Sequence, residues 1–161
     1  CNALETLLIN SQIYQDMGSL IIEELLENEV ELFVDEKIKE DFPNLNLANE
    51  SHYETEFLDL KLAVKVVDSV DQAIEHIKIY SSGHTEAILT ESKEVADTFA
   101  KSIDSSVIFI NSSTRFTDGE MFGFGSEIGI STQKLHVRGP MGLEALTNER
   151  YVVTGEGTVR G

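Results

Sequence analysis

The chain has 161 residues, enough for one domain with a buried core. Its hydrophobic (41%) and charged (25%) shares are ordinary for a globular protein, but 12 Lys and Arg face 29 Asp and Glu, a net charge of −17. That balance argues against binding a nucleic-acid backbone or an anionic membrane through basic residues, and the single cysteine excludes an internal disulfide.

Residues 4–9 read as a short strand, after which Ser11 stands where a helix N-cap would stand. Ile13, Met17, Leu20, Ile21 and Leu25 follow at helical spacing and predict one apolar face. Val30, Leu32 and Val34 alternate as in a strand. Residues 35–55 are polar, and the expectation there is a short helical turn followed by a surface loop. "LAVKVV" (62–67) is the next strand, and Ser69 with Gln72 forms a capping-box pattern. Val70, Ala73, Ile74 and Ile77 then recur at i, i+3, i+4 and i+7, a strong helix signal ended by "SSGH". "EAILT" (86–90) reads as a strand, Ser92 caps a helix carrying Val95, Ala96, Phe99 and Ala100 inward, and "SVIFI" (106–110) is a further strand.

Strands thus alternate with helices, which predicts an α/β domain with a mainly parallel sheet flanked by helices. From Asn111 the pattern changes: six of the eleven glycines lie between 119 and 142, and regular periodicity is lost. "RYVVTGE" near the end reads as one more strand. No apolar run reaches the ~20 residues of a membrane span, and the start lacks the charged and apolar regions of a signal peptide.

Several residues carry possible chemistry. Cys1 is either a small buried apolar residue or a nucleophile, which would need a lowered thiol pKa. The four histidines, His52, His76, His84 and His136, match no zinc spacing, so no metal site is expected; His76 and His84 read as satisfied histidines at a helix surface and its end. "FGFGSEIG" (122–129) differs by one residue from a dinucleotide fingerprint and lacks the preceding strand, so it reads as a glycine-rich loop that permits close backbone packing. "NSSTRF" (111–116) follows the carboxyl end of a strand, where open α/β sheets bind ligands. Its hydroxyls and Arg115 suit a carboxylate or phosphate, and an ordinary polar loop fits equally well.

Longer strings narrow the choice. "VDSVDQAIEHIKIYSSGHTEAI" (67–88) resembles the signature segment of the γ-glutamyl phosphate reductase family, within the aldehyde dehydrogenase superfamily. Val67, Ala73, Ile74, His76, Ile77, Tyr80, Ser81, Ser82, His84, Thr85, Glu86 and Ile88 carry that resemblance. "CNALETLL", "FINSSTRFTDG" and "GSEIGISTQKLHVRGPMGLEAL" are similar to the same family, so the likeness covers essentially the whole chain.

The resemblance implies an aldehyde-dehydrogenase-like catalytic domain over 1–140 that begins at the nucleophile, and an oligomerisation tail over 141–161 bearing a C-terminal strand. The nucleotide-binding half would lie outside the chain. It implies reduction of L-glutamyl 5-phosphate by NADPH to L-glutamate 5-semialdehyde, with release of phosphate, in cytoplasmic proline biosynthesis. Cys1 would be the catalytic cysteine that forms a thioester. Glu56 would take the position of the glutamate that holds the nicotinamide ribose, with Phe57 and Leu58 departing from the rest of that motif; a solvated acidic residue is the plainer alternative. Glu120 in "EMFGF" looks closer to that motif but falls in the later substrate segment. Ser112, Ser113, Thr114 and Arg115 would line the substrate pocket, with Arg115 pairing with an anion. The intact enzyme would be a homo-oligomer. Two other possibilities stay open: the reductase half of a bifunctional kinase–reductase, or an isolated module inactive by itself.

Overall fold

Leucine and isoleucine in "TLLIN" form β1 (Thr6–Asn10), and Asn10 turns the chain directly into helix α1 (Ser11–Glu27). The cap is Asn10, whose side chain accepts from the Gln12 N–H at 3.0 Å; Ser11, expected to cap, is already helical. These coordinates are a computed structural model describing residues 2–157 and 159–161.

The next elements are β2 (Glu31–Val34), α2 (Glu36–Asp41), β3 (Asn46–Leu47), α3 (Glu50–Glu54) and β4 (Lys61–Val67). Residues 35–55 therefore hold two short helices and a short strand rather than a turn and a loop. Tertiary contacts make the difference: the ring of His52 stacks on Phe33 of β2 at 4.1 Å, and its Nδ1 accepts from the Asn49 N–H at 2.9 Å, closing the first turn of α3. Asp35 caps α2 by accepting from the Ile38 N–H (3.0 Å), and its other oxygen accepts from the Val66 N–H (2.8 Å), which ties α2 to β4.

β1, β4, β2 and β3 pair in that order, all parallel. Ile9, Tyr14, Ile22, Leu32, Val34, Ile38, Leu62 and Val64 build the core between this sheet, α1 and α2. In α1 the Tyr14 ring lies across Gly18, where an added Cβ would come within 2.5 Å of the ring. The Tyr14 hydroxyl donates to Asp41 of α2 at 2.7 Å.

A second body follows: α4 (Val70–Tyr80), β5 (Thr85–Ile88), α5 (Lys93–Ser102) and β6 (Val107–Ile110). Both helix caps match the sequence reading, with Ser69 and Ser92 accepting from Gln72 and Val95 N–H groups. The box at α4 is displaced, since Gln72 Oε1 accepts from Asp68 rather than Ser69. β5 and β6 pair in parallel, and Ile74, Phe99 and Ile103 form a smaller core against them. The α/β class with parallel sheets is as expected, but the sheet is divided into four strands and two.

The glycine-rich segment folds back on itself. β7 (Ile128–Ile130) and β8 (Gly139–Met141) pair antiparallel, which the sequence reading did not foresee. Gly119 allows the Ser126 carbonyl close, within 2.4 Å of where a Cβ would sit, the close backbone packing expected of this segment. "RYVVTGE" is extended and exposed, and forms no ladder with any described residue.

Candidate active site

Asn2, the covalent neighbour of Cys1, is fastened to the turn that follows β6. Its Nδ2 donates to the Thr117 carbonyl (2.7 Å) and, at the long limit, to the Arg115 carbonyl (3.4 Å). Its Oδ1 accepts from the Arg115 guanidinium at 2.6 Å, and its own carbonyl accepts from Thr114 Oγ1 at 2.8 Å. Residues more than 110 apart in sequence are thereby joined by four hydrogen bonds. Cys1 itself lies outside the described residues.

Local rules shape the turn. Ser113 Oγ accepts from the Arg115 N–H and starts a short 3-10 turn over Thr114–Phe116. Asn111, with φ of 54°, uses its side-chain amide as a strand would use its backbone. It accepts from the Thr90 N–H (2.8 Å) and donates to the Thr90 carbonyl (2.9 Å). Arg115 is exposed, and a guanidinium carries five N–H donors, so the bond to Asn2 leaves most of them free for an anion.

Behind the turn stands His84, at the entry to β5. The Thr85 hydroxyl donates to Thr117 Oγ1 at 3.0 Å, so it accepts from His84 Nδ1–H at 2.7 Å. That leaves His84 neutral with Nε2 as an acceptor, buried and without a partner among the described residues. Burial is the main cause that pushes the His84 pKa down. His76 on α4 is in the same condition: its Nε2 has no partner, and burial, aided by Lys65, lowers its pKa to about 4. Reading these two as satisfied histidines at a helix surface and end was wrong: they are 6% and 7% exposed, sealed by tertiary packing.

Glu56 is exposed on the loop after α3, and that loop is held by Phe57, which stacks on Phe33 at 5.6 Å. It borders the same large cleft as Glu5, His84 and Thr114. Burial, then the nearby Glu56 charge, raises the Glu5 pKa. Thr114 and Glu56 line this cleft, while Ser112, Ser113 and Arg115 do not. Among the described residues no cluster of His, Cys, Asp or Glu is arranged to hold a metal ion, and no helix is long and apolar enough to cross a membrane.

The comparisons with known proteins bear on all of this at once. No family model matches the chain. A γ-glutamyl phosphate reductase of Thermoanaerobacter is 52% identical over 99% of the chain. The chain belongs to the γ-glutamyl phosphate reductase family. It spans 39% of the length of that relative. The crystal structure of γ-glutamyl phosphate reductase from Thermotoga maritima superposes with a TM-score of 0.87 at 51% identity, over all of this chain and 39% of that one. An acetylating aldehyde dehydrogenase from Geobacillus thermoglucosidasius, 14% identical, superposes at a TM-score of 0.58 over 100% of this chain and 45% of its own. That likeness extends to the fold, which is aldehyde-dehydrogenase-like.

Proposed function

We propose that this chain is the catalytic part of a longer γ-glutamyl phosphate reductase, which reduces L-glutamyl 5-phosphate to L-glutamate 5-semialdehyde and releases phosphate. The observation that carries the reading is 52% identity to such a reductase along 99% of the chain. The fastening of Asn2 to the Thr114–Thr117 turn supports it, because it brings the neighbour of the only cysteine to the turn whose residue types suit an anion.

Cys1 is the nucleophile in this reading. Its thiolate attacks the acyl carbon, the carbon–oxygen bond to phosphate breaks, and a thioester on Cys1 remains. Arg115 screens the negative charge of the substrate, which a chain of net charge −17 would otherwise repel. A nicotinamide cofactor, NADPH, supplies the hydride that reduces the thioester to the aldehyde and frees the thiolate. The Glu56 carboxylate, exposed at the cleft, is an acceptor suited to ribose hydroxyls. Ser112, Ser113 and Thr114 orient the glutamyl group. The reaction belongs to proline biosynthesis in the cytoplasm, and the intact enzyme is a homo-oligomer in which residues 141–161 take part.

The test is phosphate-dependent oxidation of glutamate semialdehyde by the longer protein, followed through NADPH formation. Turnover is expected, and Cys1→Ala abolishes it. A Cys1→Ala enzyme with unchanged turnover would sink the reading.

A further inference from the structure

The two parallel sheets each keep one edge unpaired, and both edges face one gap. Ala63 donates to the Glu5 carbonyl, so Glu5, Leu7 and Ile9 turn their backbone groups toward β4. By the two-residue period of a strand, Thr6 and Leu8 turn theirs the other way, where β1 has no partner among the described residues. Likewise Val107 and Asn111 donate to the His84 and Ile88 carbonyls, so Thr85 and Ala87 face away from β6. β1 and β5 line the gap along their whole lengths, which is what exposed strand edges do, whereas a sheet face would show alternate residues.

The connection gives the order. β4, α4 and β5 form a strand–helix–strand crossover, which makes β5 parallel to β4 and right-handed in its passage. β1 to β2 crosses in the opposite direction, so α1 and α4 cover opposite faces of the sheet. The gap is walled on one face by Ile13 and Ile21 of α1 and on the other by Ala73 and Ile77 of α4. Its volume is about 1620 Å³, above the usual range of a small-molecule site, roughly 300–1,000 Å³. A five-residue strand with its side chains fills about 800 Å³ at normal rise, strand spacing and layer spacing. His76 and His84, buried with unpartnered Nε2 atoms, both border it, so the gap also holds polar atoms in need of a partner.

We propose that the gap between β1 and β5 is the seat of one β-strand, parallel to both, supplied by a stretch of the longer polypeptide outside residues 1–161. The relatives carry ample chain for it, since this sequence spans 39% of their length. Inserted there, the strand unites the two sheets in the order β6-β5-strand-β1-β4-β2-β3. Apolar walls on both faces call for a nearly continuous run of Val, Ile and Leu in the occupant.

Hydrogen exchange at single-residue resolution tests this in the 161-residue chain and in the longer protein. In the chain alone, the amides of Thr6, Leu8, Thr85 and Ala87 exchange freely while those of Leu7, Ile9, Glu86 and Ile88 are protected. In the longer protein all eight are protected, the first four slowed by about a hundredfold or more. Fast exchange of those four in the longer protein overturns the proposal. So does protection of them in the chain alone, whether light scattering then finds a monomer whose edges have closed together or a dimer joined by them.

Discussion

Asn2→Ala tests the fastening of the chain start most directly. The substitution removes the Nδ2 bond to the part-buried Thr117 carbonyl and the Oδ1 bond from Arg115. The first is a neutral hydrogen bond of about 1 kcal/mol whose loss leaves a carbonyl unsatisfied. The second joins an exposed arginine and adds no more than about 0.5 kcal/mol. The backbone bond from Thr114 to the residue-2 carbonyl survives. The expected loss is about 1–1.5 kcal/mol, a fall in Tm of about 3–5 °C for a chain of this size, read by circular dichroism. In the longer enzyme the same change should lower kcat more than it raises KM, because it loosens the support of the attacking group rather than the substrate. An unchanged Tm and unchanged kcat would refute the idea that these bonds hold the site together.

Arg115→Met should raise KM for the acyl phosphate about ten- to a hundredfold in steady-state assays, the loss of one charge-assisted contact. His76 makes stability depend on pH: its pKa is about 4 when folded against roughly 6.5 unfolded. The unfolded chain takes the proton first, so this contribution is complete above about pH 6.5 and is lost as pH falls toward 4, by about 3 kcal/mol. Urea titrations at several pH values should show that loss, and His76→Leu should flatten it. Ile22→Ala, at a fully buried core position, should cost about 2–5 kcal/mol in the same titrations, whereas Ile79→Ala, 66% exposed, should cost about 0.5 kcal/mol or less.

What could be read without coordinates was what neighbouring residues decide among themselves. The helix at 70–80 follows from apolar spacing and the Ser69 cap, and the helix at 93–102 from Ser92. α3 could not be read that way, because its first turn is closed by His52, whose ring is held by Phe33 some twenty positions earlier. β7 and β8 were hidden by glycines that serve backbone approach rather than a periodic face. At the site, "NSSTRF" advertised its polar chemistry, but its partner Asn2 left no local trace. The burial of His76 and His84 likewise arises from packing between elements. Glu56 and Arg115 were reached through family likeness, and composition alone would have left both as surface charges.

Gly18 deserves a practical reading. A glycine inside a seventeen-residue helix is the first place a protein engineer would put alanine, for a gain of about 1 kcal/mol. Here a methyl group would meet the aromatic ring of Tyr14 and push it off its seat, straining the hydroxyl away from Asp41. The usual thermostabilising swap therefore changes sign at this position, and the absent side chain is what lets the first two helices lean on each other.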